Sequence, residues 1–153
     1  MFFVEVIEAK LEARRLTDET IHGAVKMWCD PATRQAVVDK YGEIGDWDVS
    51  RVTSMSQLFS GQKDFNENIS RWDTSNVTNM GYMFAHASSF NQPVEGWNTA
   101  KVTNMSRMFE SASSFSQPVE GWNTANVINM SNMFYHASRL SRSFTQRPSW
   151  LKQ

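Results

Sequence analysis

Three histidines, one cysteine and a thin scatter of carboxylates are the side chains of this sequence that could hold a metal, move a proton or attack an electrophile. His86, Ser111 and His136 follow one another at a 25-residue step. Stacked at about 4.8 Å per coil, the two imidazoles would stand about 10 Å apart, too far to share one ion. Solvated surface histidines are the plainer reading, and His22 stands alone. Cys29 follows Trp28 with no basic residue placed beside it by spacing, so it reads as a small buried residue rather than a nucleophile. A single cysteine also excludes a disulfide framework and a thiolate-only metal site. Among the carboxylates Asp64, Glu67, Asp73, Glu95, Glu110 and Glu120, only Glu95 and Glu120 recur, at a glycine corner. Roughly 5 Å apart, they would resemble an acid/base couple, but duplication of a surface residue explains them as well. No serine elbow, phosphate loop or paired-cysteine motif is present. The expectation is a protein that is not an enzyme and that uses no cofactor and no metal.

These residues sit in a chain of 153 residues, the size of one domain. With 41% hydrophobic and 20% charged residues it belongs with folded proteins rather than disordered ones. Fifteen basic against sixteen acidic residues give a net charge of −1, which argues against a polyanionic partner such as nucleic acid. The basic excess near the end, Arg139, Arg142, Arg147 and Lys152, reads as solvation of a terminal cap. No apolar run reaches the roughly 20 residues of a membrane span. Met1-Phe2-Phe3-Val4 is followed by Glu5, Glu8 and Glu12, unlike an export signal. As written, the chain reads as one kept inside a compartment or processed before this Met1.

The dominant pattern is a repeat. Trp47, Trp72, Trp97 and Trp122 are spaced by 25 residues. Val52, Val77, Val102 and Val127 keep the same step, as do Met55, Met80, Met105 and Met130. So do Phe59, Phe84, Phe109 and Phe134, and Phe65, Phe90, Phe115 and Leu140. Segments 89–105 and 114–130 differ only at Asn91/Ser116, Lys101/Asn126 and Thr103/Ile128. A coil of this length cannot cover its own apolar face, so copies must stack and turn each column into a ridge. Val77, Met80, Met83 and Phe84 fit a short helical turn, and Gly96 and Gly121 with Pro93 and Pro118 mark corners. The expected fold is a repeat solenoid like leucine-rich repeats, with short parallel strands, short helical turns and an α-helical N-terminal cap. Residues 1–46 form the helical extension and cap. Residues 47–146 form four repeats, 47–71, 72–96, 97–121 and 122–146, and residues 147–153 a C-terminal cap or tail. Phe3, Ile7 and Leu11 predict a helix over 2–16, Thr17 caps a second, and Asp30-Pro31 opens a third that Gly42 stops.

The phrase W-[DN]-x-[SA]-x-V-[TI]-x-M-x-x-[ML]-F, carried by Trp47–Phe59, Trp72–Phe84, Trp97–Phe109 and Trp122–Phe134, is similar to the 25/26-residue surface-protein repeat of bacteria (BspA-type). That repeat is abundant in mycoplasma surface lipoproteins and occurs in marine protists. The lead-in Thr17–Trp47 resembles the family's entry segment, so the likeness covers about residues 17–146. It implies a leucine-rich-repeat-like solenoid without known chemistry, assigned to surface display, adhesion or protein binding.

The functional expectation is therefore a protein-binding or adhesion module using the side of the stack where polar residues vary. Gln57, Arg107 and Asn132 near the helical turn, and Lys101 against Asn126, are the candidate contacts. Phe2, Phe3 and Ile7 make the first helix a candidate docking element, whether for a subunit of a larger complex or for self-association through residues 1–16. Two threonine rows, Thr53–Thr78–Thr103 and Thr74–Thr99–Thr124, give a third option, the binding of ice by ordered surface hydroxyls. Their alternative role is plain stacking on an extended surface. Asn79, Asn104 and Asn129 read as an internal ladder whose amides cap their own turns.

Overall fold

The computed structural model describes residues 2–139 and 150–151. The column continued by Leu140, the basic residues Arg142, Arg147 and Lys152, and most of the expected C-terminal cap lie outside the described residues. Three helices come first: α1 (Phe2–Arg14), α2 (Ile21–Cys29) and α3 (Arg34–Tyr41), followed by a single 3-10 turn at Ile44–Asp46. α2 forms where Ile21, Ala24, Val25 and Trp28 share one face, and all four are buried against the repeats. Each of the larger three contributes about 1.5–3 kcal/mol by leaving water. The helix starts later than Thr17 suggests. Thr17 and Thr20 close a turn on each other, and the helix enters after Thr20. Asp30-Pro31 likewise makes a turn, with Asp30 Oδ1 accepting the Ala32 N–H, and α3 begins three residues on. Gly42 does end α3, at φ 83°, with its N–H on the Val38 carbonyl at 2.7 Å.

After Trp47 the chain runs in 25-residue coils laid one on the next, joined by an unusual hydrogen-bond ladder. In the second coil the N–H groups of Met80, Tyr82, Phe84 and His86 donate to the carbonyls of Asn104, Ser106, Met108 and Glu110 at 2.7–2.9 Å. The alternate N–H groups of Met83, Ala85 and Ala87 instead close turns on the carbonyls of Met80, Tyr82 and Phe84. The first and third coils repeat this, from Met55, Gln57, Phe59 and Gly61 and from Met105, Arg107, Phe109 and Ser111. All ladder N–H groups thus point toward the following coil, and their partner carbonyls point back.

This corrects the expected fold class. The described residues contain no strand and no sheet. The only parallel pairing is the file of isolated bridges Ser54–Asn79–Asn104–Asn129. A strand offers alternate peptides to the neighbours on its two sides, whereas here every second peptide is consumed in a turn of its own coil. Nor is the Val77–Phe84 segment a helical turn. The turns closed from Met80 to Met83 and from Phe84 to Ala87 carry Tyr82 and His86 at their third position with φ 57° and 60°. A right-handed helix has no place for such residues. A strand-based leucine-rich-repeat architecture is therefore not what the sequence forms.

Inside the coils the columns do meet their copies. The Phe59, Phe84, Phe109 and Phe134 rings stack with centroids 5.4, 5.5 and 5.6 Å apart, and Phe65, Phe90 and Phe115 form a second stack beside them. The two stacks touch at 3.9–4.0 Å within each coil. Each repeat tryptophan spends its indole N–H on a backbone carbonyl: Trp72 on Ile44, Trp97 on Ile69, Trp122 on Val94. Asn79, Asn104 and Asn129 cap their own turns, accepting the N–H two residues on.

The first coil has no preceding coil, and side chains near α2 supply what it lacks. Thr78 and Asn79 N–H both lean on the Thr53 carbonyl, while Thr53 and Ser54 N–H are taken by Asp18 Oδ1 at 2.8 and 3.1 Å. His22 Nε2 lies 2.8 Å from the Ser56 carbonyl, the counterpart of the Gly81 carbonyl that receives Gln57. Burial by itself would raise the Asp18 carboxyl. The Thr53 hydroxyl, the two amides and the nearby His22 outweigh it and hold the group below its ordinary range.

Candidate functional site

The ladder dictates where side chains of unlike chemistry are displayed. Its turns require one left-handed residue in four, giving two columns that run the length of the stack. Gln57, Tyr82, Arg107 and Asn132 form the first, and Gly61, His86, Ser111 and His136 the second, with φ between 52° and 76°. Only one of the eight is glycine, although an L-residue in this region costs about 1–2 kcal/mol. Gln57, Asn132, His86 and His136 are exposed, Tyr82 is more than a third exposed, and Arg107 and Ser111 are half-buried. The Arg107 guanidinium lies 5.8 Å from the Tyr82 ring centroid and pairs with Glu110 at 3.2 Å. At the next coil the Tyr135 and His136 rings meet at 4.1 Å. The face therefore carries aromatic edges, amides, imidazoles and one paired cation on a rigid backbone, an assortment suited to recognising another surface.

Three of the sequence-derived candidates, Gln57, Arg107 and Asn132, stand in this one column. Tyr82, His86, Ser111 and His136 belong to the same face and were missed as contacts. The signal was available, since these are the columns whose residue type changes while their neighbours repeat. Lys101 and Asn126 stand elsewhere, in a column with Arg51 and Asn76. There they tie coils together, Lys101 Nζ to Asn76 Oδ1 at 2.9 Å and Asn126 Nδ2 to the Ala100 carbonyl at 2.7 Å.

The threonine rows separate. Thr74 and Thr99 are buried and donate to the Asn98 and Asn123 carbonyls at 3.0 Å, with Thr124 half-buried beyond them, so this row does not face water. Thr53, Thr78 and Thr103 are exposed, but the Thr78 and Thr103 hydroxyls contact the carbonyls of the preceding coil and Ile128 closes the row.

Phe2, Phe3 and Ile7 lie on α1, none of whose residues is buried. Phe2 is 77% and Phe3 82% exposed. Only the end of the helix is tied down. Glu12 pairs with Arg51 and Arg15, Arg15 with Asp48, and Leu16 is fully buried with its N–H on the Asp48 carbonyl.

Cys29 lines a cavity of about 300 Å³ between α2, α3 and the loop 61–67, with Trp28, Arg34, Lys63, Asp64 and Glu67. Burial pushes its thiol above the ordinary value against the pull of Arg34, which keeps it protonated and poorly nucleophilic at neutral pH. The Glu95 side chain lies over Gly121 of the next coil. Among the described residues no three His, Cys, Asp or Glu side chains are grouped so as to hold a metal ion. None of the described helices is long and apolar enough to cross a membrane.

Residues 31–147 match the family described as Mycoplasma protein of unknown function, DUF285. The chain belongs to that family. The matched span takes in α3 and the repeats as far as Arg147, and the description assigns no activity. No curated protein and no solved structure matches the chain.

Proposed function

We propose that this chain is a non-catalytic protein-binding module of the adhesion type, and that it contacts its partner through the two left-handed columns. One observation carries the reading: seven residues other than glycine are held at positive φ in register, at positions where glycine would fold more easily. Strain of this kind persists where the side chain is worth keeping. Unlike residues at equivalent backbone positions also give each coil its own chemistry on a common frame, which is how repeat stacks build specific surfaces.

The backbone supplies a clean test. Replacing Tyr82, Arg107 and Asn132 by glycine removes three side chains of the face while relieving backbone strain, and a melting curve beside the parent's separates loss of binding from loss of fold. A protein captured from the source lysate by the parent and not by the glycine variant supports the reading. Equal capture by both refutes it.

A second reading, a structural subunit docked through the N-terminal helix, is favoured by the exposure of the apolar side chains of α1, none of whose residues is buried. A variant lacking residues 2–11 separates the two. It spares Leu16 and the Asp48 contacts, keeps a partner of the ladder face and loses a partner of the helix.

A further inference from the structure

α2 and α3 enclose an open groove of about 400 Å³ lined by Thr20, Gly23, Ala24, Met27, Ala36, Val37, Lys40 and Tyr41. Its floor is made of small residues. Gly23 is the third residue of α2, with ordinary backbone geometry, and a Cβ there would meet nothing within 4 Å. No turn or close approach in the chain calls for this glycine, and it weakens the helix that carries it. What its missing side chain provides is depth in the groove. On the same molecule α1 offers exposed apolar side chains: Phe2, Phe3, Val4, Val6, Ile7 and Leu11, each 39–82% exposed.

We propose that the groove is the seat of α1 from a second copy of this chain, in a reciprocal exchange about a twofold axis. A helix cannot use its own groove in this structure, because residues 12–16 are fixed by Arg51 and Asp48 and its apolar side chains stay in solvent. The anchor nevertheless sits at the groove's end. Tyr41 lines both the groove and the shallow pocket formed with Leu11 and Arg14. Each helix therefore leaves its own body beside the place that a partner's helix would enter, the relation an isologous dimer needs.

Size agrees. The 13 residues of α1 extend roughly 20 Å, enough to run past the two shorter helices. Its exposed side chains offer on the order of 600 Å² of apolar surface. Because each copy contributes both a helix and a groove, the exchange approaches the about 800 Å² per partner of a stable interface. The inference rests on residues distinct from the ladder face, and either can fail without the other.

The test is the mass of the full chain by sedimentation equilibrium, beside two kinds of variant. Gly23→Arg fills the groove at a position with room for a side chain and a preference for helix formers. Ile7→Asp spoils the apolar face of α1. The expected result is a dimeric parent, with both variants monomeric yet still folded, each giving a cooperative melting transition. Should Gly23→Arg fail to fold, Ala36→Arg on α3 blocks the same groove from the other wall. A parent that is still monomeric at about 100 μM, where an interface of this size should be filled, overturns the inference. So does a dimer that survives Gly23→Arg and falls apart with Ile7→Asp, since the helices would then be pairing with each other.

Discussion

Substituting His86 by glycine should stabilise the protein. The backbone there has φ 60°, and the structurally equivalent position in the first coil is already Gly61, at φ 76°. The His86 ring is exposed, and its backbone N–H donates to the Glu110 carbonyl whatever the side chain. Relief of the left-handed conformation returns about 1–2 kcal/mol. The greater freedom of glycine in the unfolded chain takes back about 0.4–1 kcal/mol. The net gain is about 0.5–1 kcal/mol, which for a chain of this length raises Tm by about 1–4 °C. The reverse substitution, Gly61→Ala, isolates the same term. A Cβ at Gly61 meets no atom within 4 Å, so its cost is conformational alone and of similar size. Urea titration of the three proteins, followed by tryptophan fluorescence, gives both differences. A His86→Gly variant less stable than the parent would show the imidazole holding the fold together, and the inference from strain to recognition would fall with it.

Three further outcomes are expected. Phe84→Ala, which removes a ring stacked between Phe59 and Phe109 and against Phe90, should cost about 3–5 kcal/mol, a large part of the whole stability. The half-buried Phe134 should cost about 1–2 kcal/mol when truncated, and equal losses in the two urea titrations would refute stacking as the main support. Asp18, Asp48 and Asp73 are all held below their ordinary range, Asp18 and Asp48 by hydrogen bonds that outweigh burial and Asp73 by its Ser75 bonds. Their contribution is therefore complete above the usual carboxylate pKa of about 4 and is lost as pH falls from there through their lowered values in the fold. Asp18→Ala should cost about 1 kcal/mol at pH 7 and reduce the drop in Tm between neutral and acid pH, and an unchanged acid limb would contradict its capping role. No thermal hysteresis is expected of the parent in nanolitre osmometry, because Thr74 and Thr99 are buried and Ile128 interrupts the exposed row. Hysteresis abolished by Thr78→Tyr would reverse that conclusion.

The sequence by itself determined the stacking register and the core. A 25-residue period with Trp, Val, Met and Phe in fixed columns leaves those side chains no apolar partner except their own copies, and the ring stacks follow. It also located the three helical segments and the Gly42 stop, since a helix buries one periodic face and ends where glycine permits a left-handed residue. Tertiary structure decided the backbone path inside the coil. Hydrophobic spacing reports which side chains are buried and is silent on where the peptide groups point. Strand pairing and the observed mixture of turns and ladder bonds bury the same columns. Nor did residue type betray the left-handed positions, because Tyr82, His86 and Arg107 adopt a conformation that only their neighbours' hydrogen bonds enforce. The same holds for the threonines, identical in spacing yet sorted into a buried row and an exposed one by the direction the chain takes at each turn. Whether an apolar helix face is covered is likewise settled by what stands beside it, and Phe2, Phe3 and Ile7 stay 56–82% exposed.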